Sequence, residues 1–303
     1  MIQIVLINSE GKFNKNYYLI DGMPMGVPKL LSIYIIENDG MRLMIDTGDA
    51  LKARTNIKKL KDFGLYPIHK IVLTHSHWDH AQGLSKMNIL MKDLDVEVLA
   101  SENAVDNLRH PDKMVEGLGD HTAFPFEGGI TPLKEGDIID LNGLELEVMN
   151  FFGHTMDSLA LFDKSNRNIF IGDAVSMRLD PDAFYIPLMP PDFHENELLK
   201  SFKKLRNMRN SLSSISLAHF GVWKDNHFEQ ILDEMEDLYF KVKSSLIEWY
   251  NENPSIKTIT SKYCKTLMPN SKFWNETIFE FLVDNMINGL KLSGFMERES
   301  IAH

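Results

Sequence analysis

Residues 74–80 read THSHWDH and follow residues 68–73, IHKIVL, which end in the apolar run Ile71–Leu73. Such a run is typical of a strand buried on both faces, so the polar side chains after it should emerge at the edge of a sheet. Four groups that can bind a metal lie within this segment: His75, His77, Asp79 and His80. Imidazole and carboxylate suit zinc, iron or manganese. Neither a core face nor a solvated face produces this order, and the segment therefore predicts a metal site.

Three further residues of ligand type each follow an apolar, strand-like run: His154, Asp173 and His219. Strand ends meet at one edge of a sandwich, so we expect these side chains to converge on the first four. A catalytic zinc ion takes three protein ligands and a water. Seven candidate ligands therefore predict two metal ions.

In this order, H-x-H-x-D-H, G-H-T, G-D and a strand-terminal histidine resemble the metallo-β-lactamase-fold superfamily over roughly residues 30–222. The resemblance implies an α/β protein built as an αββα sandwich, with His75, His77 and His154 on one metal ion. It also implies that Asp79, His80 and His219 hold the second ion and that Asp173 bridges the two. In the matching I-D-T-G segment at 45–48, Asp46 would orient the ligand histidines.

The sequence departs from the family pattern at one place near the site. Family members often read G-H-T-x-G-H, whereas residues 153–158 read GHTMDS. Other branches fit less well, because the flavo-diiron branch typically has glutamate where His77 stands. The short stretch between Asp173 and His219 leaves no room for the large inserted domain of the RNA-processing branch.

The chain divides into a β-rich part and a helical tail. We predict a catalytic domain at 1–224 and a C-terminal helical extension at 225–303, which resembles the winged-helix-like appendage of one branch of the superfamily. Periodic apolar residues predict helices at 50–63, 195–208, 228–250, 255–264 and 274–292. The tail is expected to cap the sandwich, wall the active site or form a homodimer contact. The loop at 110–132 is either an active-site lid or disordered.

Composition limits the partners. The 303 residues carry 43 acidic and 32 basic side chains, a formal net charge of −11, which disfavours nucleic acid as a partner. The single cysteine, Cys264, excludes an intrachain disulfide and a cysteine-rich zinc cluster. No stretch approaches the ~20 apolar residues of a membrane helix, and residues 1–8 lack the features of a signal peptide. These observations predict a cytoplasmic protein without a membrane partner.

The resemblance implies a binuclear metal-dependent hydrolase in which a metal-bridging hydroxide attacks the substrate. Asp79 would hydrogen-bond this hydroxide and donate a proton to the leaving group, and the two ions would most simply be Zn²⁺, with iron or manganese as alternatives. Aromatic residues expected near the mouth favour a small-molecule ester, lactone or thioester; they are Phe152, Tyr185, Phe220 and Trp223. Tyr185 is also a candidate oxyanion donor.

Two other functions stay open at this point. One is a phosphodiesterase or nuclease that acts on nucleic acid with the same metal centre, using basic residues of the helix at 200–209. The other is a regulatory or sensor protein that retains the fold. The complete set of seven ligands disfavours the second.

Overall fold

Two seven-stranded sheets pack face to face in the computed structural model of the protein, which describes residues 6–115, 123–180, 182–272 and 276–297. The first sheet contains, in spatial order, β2 (Gly11–Lys12), β3 (Tyr17–Asp21), β4 (Ser32–Asn38), β5 (Met41–Ile45), β6 (Lys70–Val72), β7 (Glu97–Ser101) and β8 (Thr131–Leu133). The second contains β1 (Leu6–Ile7), β16 (Gly221–Lys224), β15 (Ser214–Leu217), β12 (Asn168–Phe170), β11 (Leu159–Asp163), β10 (Leu144–Asn150) and β9 (Ile138–Leu141).

Helices cover the outer face of each sheet. They are α1 (Ala53–Asp62), α2 (Trp78–Ala81), α3 (Gly83–Leu90), α4 (Ala104–Arg109), α5 (Glu195–Asn207), α6 (Asp225–Glu252), α7 (Ile256–Leu267) and α8 (Glu276–Leu292). A small hairpin of β13 (Met177–Asp180) and β14 (Ala183–Tyr185) stands apart from both sheets. None of the helices in the described part of the chain combines the length and the apolar character needed to cross a bilayer.

Three apolar clusters hold these layers together. One lies between the sheets and includes Tyr34 and Ile45 from the first and Val148 and Phe170 from the second. Another joins the first sheet to α1, α3 and α4. The third joins the second sheet to α5 and to all three helices of the tail. Because each sheet buries both of its faces, the layers stack as helix, sheet, sheet and helix.

The expected αββα sandwich with a C-terminal helical extension is confirmed by this layering. All five predicted helices are present, with bounds that shift by a few residues. Of the segments considered in the sequence, residues 1–5, 116–122, 181, 273–275 and 298–303 lie outside the described residues. The hairpin of β13 and β14 was not predicted from the sequence.

The proposed domain boundary falls at the junction of β16 and α6, between Lys224 and Asp225. The tail nevertheless shares one apolar cluster with the second sheet, in which Tyr239 of α6 and Phe279 of α8 are fully buried with Phe202 of α5. The division into two domains stays a prediction.

The loop at 110–132 is described except for residues 116–122. Its described part packs beside α4, where the Arg109 guanidinium donates a hydrogen bond to the Gly128 carbonyl at 2.6 Å and buried Phe126 joins the cluster beneath the first sheet. Of the loop residues that the structure describes, none lines the cavity described below. A lid function for this loop stays a prediction.

Candidate metal centre

Seven side chains of ligand type meet where strands of both sheets end: His75, His77, Asp79, His80, His154, Asp173 and His219. The first four follow β6, two in the connecting loop and two in α2, and the other three follow β10, β12 and β15. The histidines and Asp173 are buried, whereas the Asp79 side chain is 19% exposed. The sequence-predicted ligand set is therefore brought together in one place.

The seven residues form three overlapping groups, and within each group the ligand atoms lie within 4.8 Å of one another. The groups are His75–His77–His154, His75–His80–Asp173 and Asp79–His80–His219. Asp173 stands between the two outer groups. Its carboxylate lies 3.5 Å from His154 Nε2, 3.4 Å from His80 Nε2 and 3.3 Å from His219 Nε2. Asp173 thus contacts histidines of both predicted metal sites, and its bridging role stays a prediction.

The donor set fits a divalent metal. His75 Nε2 is buried and has no hydrogen-bond partner among the described residues, a costly arrangement for a polar atom. In three other histidines the second ring nitrogen is held by an oxygen: His80 Nδ1 by Asp46 Oδ2 at 2.8 Å, His154 Nδ1 by the Pro187 carbonyl at 3.0 Å, and His219 Nδ1 by the Leu30 carbonyl. Such contacts fix the ring and turn Nε2 toward the other histidines, with His80 Nε2 3.3 Å from His219 Nε2 and His154 Nε2 2.8 Å from His77 Nδ1. A bound cation would replace these nitrogen–nitrogen contacts.

Asp46 supports two of the histidines from behind. It follows β5 with a left-handed φ of 62°, a conformation that non-glycine residues adopt mostly under constraint. Its carboxylate accepts hydrogen bonds from Thr74 N at 2.8 Å, from Thr74 Oγ1 at 2.9 Å and from His80 Nδ1. Thr74 Oγ1 in turn lies 3.1 Å from His75 Nδ1. Asp46 thus contacts His80 directly and His75 through Thr74.

Asp157 is a supporting residue that sequence reasoning missed. Its carboxylate accepts hydrogen bonds from Ser76 Oγ, from Thr155 Oγ1 at 2.6 Å and from Asn107 Nδ2 at 3.0 Å. Because Ser76 lies between two ligand histidines and Thr155 follows a third, this carboxylate ties two ligand loops together. The available signal was the departure from G-H-T-x-G-H, since Asp157 stands where the family often has glycine.

The loop that carries His154 requires the glycine before it. Gly153 has a φ of +130°, and a Cβ on it would lie 2.3 Å from backbone atoms of Leu198 in α5. The Gly153 carbonyl also accepts a hydrogen bond from His194 N at 2.8 Å. The loop therefore packs directly on the start of α5, which fixes the position of His154.

Burial and neighbouring charges shift the pKa values of the clustered histidines in two directions. Burial lowers the pKa of His77 and of His154 to about 4, so both rings are neutral, as metal ligands must be. Burial also acts to lower the pKa of His80 and of His219, but the carboxylate of Asp173 and its neighbours outweigh it, and both pKa values are raised. The pKa of Asp173 is lowered, because these two histidines outweigh the effect of its burial.

A cavity opens above the cluster, and only one of the four aromatic residues proposed for substrate contact lines it. Tyr185 does so, 3% exposed, with its ring centroid 5.9 Å from that of His219. Phe220 instead packs between the sheets, and Trp223 packs in the core beneath the tail. Phe152 is half-buried beside α5, where its carbonyl accepts a hydrogen bond from Ser201.

Most of the other lining residues were not singled out by sequence reasoning; the exception is Met25, which lies in a Gly/Pro-containing segment that the sequence also suggests for the mouth. Some come from the first half of the chain, namely Leu30, Trp78 and the proline and methionine at 24–25, and others come from the segment that contains Met189 and Pro190. The remainder come from α8: Ile278, Phe281, Leu282 and Asn285. Apolar positions on a helix are ordinarily attributed to core packing, so their sequence gives no signal that they face the site.

Comparison with known proteins agrees with this geometry. The profile of the metallo-beta-lactamase superfamily matches residues 28–219. A probable metallo-hydrolase of Streptococcus pyogenes serotype M6 is 31% identical over 47% of this chain and 60% of its own length. The acyl-coenzyme A thioesterase MBLAC2 of Gallus gallus is 27% identical over 48% of this chain and 57% of its own length. The chain thus spans less than two thirds of either relative.

A solved structure with the same fold extends over the tail as well. The metallo-beta-lactamase family protein of Thermus thermophilus superposes with a TM-score of 0.65 at 18% identity, covering 95% of this chain and 97% of its own. Identity at this level shows the fold alone. Together with the profile match, which spans the whole ligand set from His75 to His219, it shows that the chain belongs to the metallo-beta-lactamase superfamily.

Proposed function

We propose that the protein is a binuclear metal-dependent hydrolase of a small-molecule ester, lactone or thioester. The observation that carries this proposal is the pairing of a seven-residue ligand cluster with an apolar cavity. Among the described residues that line it, only Asp79 and Asp173 have charged side chains apart from the histidines. A neutral acyl group suits such walls, whereas an anionic substrate would find no lysine or arginine among them.

Two divalent ions, which we propose to be Zn²⁺, would supply an activated water and polarise the substrate carbonyl. Water would then add to the acyl carbon and the acyl bond would break, giving a carboxylic acid and an alcohol or thiol. Asp79 has the most accessible carboxylate of the cluster and lies 3.6 Å from His80 Nε2 and 3.5 Å from His219 Nε2. We assign it the proton that passes to the leaving group.

We assign to Tyr185 a hydrogen bond to the substrate, since it lines the cavity beside His219. Burial, followed by the nearby carboxylates of Asp173 and Asp79, holds the pKa of its hydroxyl well above the usual value. The hydroxyl therefore keeps its proton at neutral pH. A neutral donor in a buried site stabilises an oxygen on which negative charge develops, which supports a role at the acyl oxygen.

A phosphodiesterase or nuclease on the same centre is the other candidate, and the basic helix argues against it. In α5, Lys204 pairs with Glu135 at 2.7 Å and Arg206 pairs with Glu236 at 3.1 Å. Arg209, just beyond α5, contacts both Glu229 and Asp233. Lys203 of the same basic helix is exposed, but the other three side chains already have carboxylate partners, so the helix presents little free positive charge to a phosphate backbone.

The test compares four substrates under four metal conditions. The purified protein is treated with a chelator and then reconstituted with zinc, iron or manganese. It is assayed on p-nitrophenyl acetate, a lactone, a thioester and bis-p-nitrophenyl phosphate. We expect chelation to abolish hydrolysis of at least one of the three acyl substrates and one of the metals to restore it. Hydrolysis that survives chelation, or activity on the phosphodiester alone, would overturn the proposal.

A further inference from the structure

One face of α8 forms the roof of the cavity over the ligand cluster. Ile278, Phe281, Leu282 and Asn285 line the same cavity as His77, Asp79, His154, Asp173 and His219. Their spacing of three and four residues places them on one side of the helix. The rest of α8 is anchored in the core through Phe279, Val283, Met286, Ile287 and Leu290. The roof is therefore a fixed part of the fold.

A glycine allows α8 to pack close to the chain segment beneath it. At Gly289 an added Cβ would lie 2.6 Å from Leu188 Cδ2 and 3.1 Å from the Leu188 carbonyl oxygen. The helix thus rests directly on the segment that contains Tyr185 and Pro187, and the Pro187 carbonyl holds His154 Nδ1. Leu188, which contacts α8, and Pro187, which holds His154, are adjacent in the chain. This short connection keeps the roof close to the ligand cluster.

The space beneath the roof is small. The cavity measures about 60 Å³, compared with about 150 Å³ for an engineered apolar cavity that accommodates benzene. Leu30 and Met189 line it together with the roof residues. These wall residues are mostly apolar, so the space favours a short, uncharged acyl group over a long chain.

Asn285 is the exception on this apolar face. It is 4% exposed and lines the cavity, and its side chain forms no hydrogen bond with the residues that the structure describes. No atom of Asn285 is among the fully enclosed polar side-chain atoms that lack a partner, so its amide is accessible from the cavity that it lines. The oxygen of a bound substrate would supply the missing partner.

We infer that α8 is the acyl-binding wall of the site and selects short acyl groups that carry a second oxygen. In this arrangement Ile278, Phe281 and Leu282 contact the hydrocarbon part of the acyl group. The Asn285 amide donates a hydrogen bond to a hydroxyl or carbonyl oxygen on the same group. The inference rests on the proposed acyl hydrolase function and names its substrate class.

The first experiment measures chain length. Wild-type protein and two roof variants are assayed on p-nitrophenyl acetate, butyrate, hexanoate and octanoate. We expect the wild type to have its highest kcat/KM on the shorter esters. Phe281→Ala should raise the ratio of hexanoate to acetate activity by about 10-fold, the effect of changing a few atoms in an apolar pocket, and Ile278→Phe should lower it. Both positions are half-buried, so failure of one variant to fold leaves the other as the test.

The second experiment measures the role of Asn285. Activities on p-nitrophenyl butyrate and p-nitrophenyl 3-hydroxybutyrate are compared for the wild type, Asn285→Leu, Asn285→Ala and the control Asp284→Asn, which changes an exposed residue of the same helix. We expect the wild type and the control to prefer the hydroxylated ester, and the two Asn285 variants to lose that preference by about 5- to 10-fold. Binding of 4-hydroxybutan-2-one against butan-2-one, measured by calorimetry, provides a readout that does not depend on turnover.

The outcomes separate the inference from the function on which it rests. If the metal-loaded wild type hydrolyses none of these esters and no thioester, the proposed function fails. If it hydrolyses them but the roof variants keep the wild-type chain-length profile, the acyl-binding wall is wrong. If the Asn285 variants keep the wild-type preference in both hydrolysis and binding, the assignment of Asn285 is wrong.

Discussion

The floor and the roof of the cavity are built in opposite ways. The floor is the cluster of seven residues of ligand type. It is polar, and its histidines are oriented by oxygens such as those of Asp46 and the Pro187 carbonyl. The roof is an apolar helix face that carries one amide side chain, Asn285. Changes in the floor should therefore affect the reaction on every substrate, whereas changes in the roof should affect which substrate is preferred.

Removal of one ligand from the floor should have the largest effect. We expect His77→Ala to lower hydrolysis of all acyl substrates by about 10³-fold or more, because it removes one member of the group His75–His77–His154. Elemental analysis should show less bound metal. The control is His110→Ala, since the His110 side chain is 65% exposed and lies outside the cluster. Full activity in the first variant would show that the floor is not the reaction centre.

Loss of the support behind the ligands should have a smaller effect. In the present structure His80 Nδ1 lies 2.8 Å from Asp46 Oδ2. Asp46→Asn keeps the shape of the side chain but replaces this carboxylate with a neutral amide. Replacement of such a partner typically lowers metal affinity or activity about 10–100-fold. Metal titration should show this loss, with the relative activities on different esters unchanged. A shift in ester preference instead would break the division between floor and roof.

The link between two ligand loops should contribute to stability. Asp157→Ala leaves three donors, on Ser76, Thr155 and Asn107, without their acceptor. We expect the free energy of unfolding in urea to fall by about 1–3 kcal/mol. Asp62→Ala is the matched control, because Asp62 pairs with Lys58 on the surface, where an ion pair contributes about 0–1 kcal/mol. Equal effects of the two substitutions would contradict the structural role of Asp157.

The smallest effect on stability is expected for a substitution at Gly289 in α8, because a gain in helix propensity there opposes a cost of overpacking. Gly289→Ala gains about 1 kcal/mol in helix propensity, but its methyl group would contact Leu188 at distances that force a shift. Overpacking costs about 1–3 kcal/mol, so we expect a net loss near 1 kcal/mol in urea unfolding. The closest contact is with Leu188 Cδ2 at the end of a side chain; any part of the shift that the helix takes up moves it away from the floor, so longer p-nitrophenyl esters should gain relative to acetate. Increased stability with an unchanged profile would show that the contact does not set the roof height.

The floor was predictable from the sequence because its signals are local. Each of its ligands follows an apolar run that becomes a strand, and strand ends of a sandwich meet at one edge. The clustering could therefore be predicted from the positions of His75, His154, Asp173 and His219 directly after strand-like segments. The two packed sheets and the helical tail followed from periodicity together with the family resemblance.

The roof was not predictable for a physical reason. Phe220, Trp223 and Phe281 look alike in sequence, as aromatic residues beside apolar neighbours. Only tertiary packing places the first two in the core and the third over the cavity. Asp157 was missed for a related reason, because its value lies in joining two loops that are far apart in the chain.

Because α8 lies near the end of the described chain, it is synthesised later than the residues of the floor. All seven residues of ligand type precede α6, so the ribosome completes the ligand set before it makes the roof. At about 5–20 residues per second, the interval is several seconds. A ligand cluster that formed in this interval would be open to solvent on the side that α8 later covers. Metal ions would then reach the predicted ligands without any movement of the finished helix.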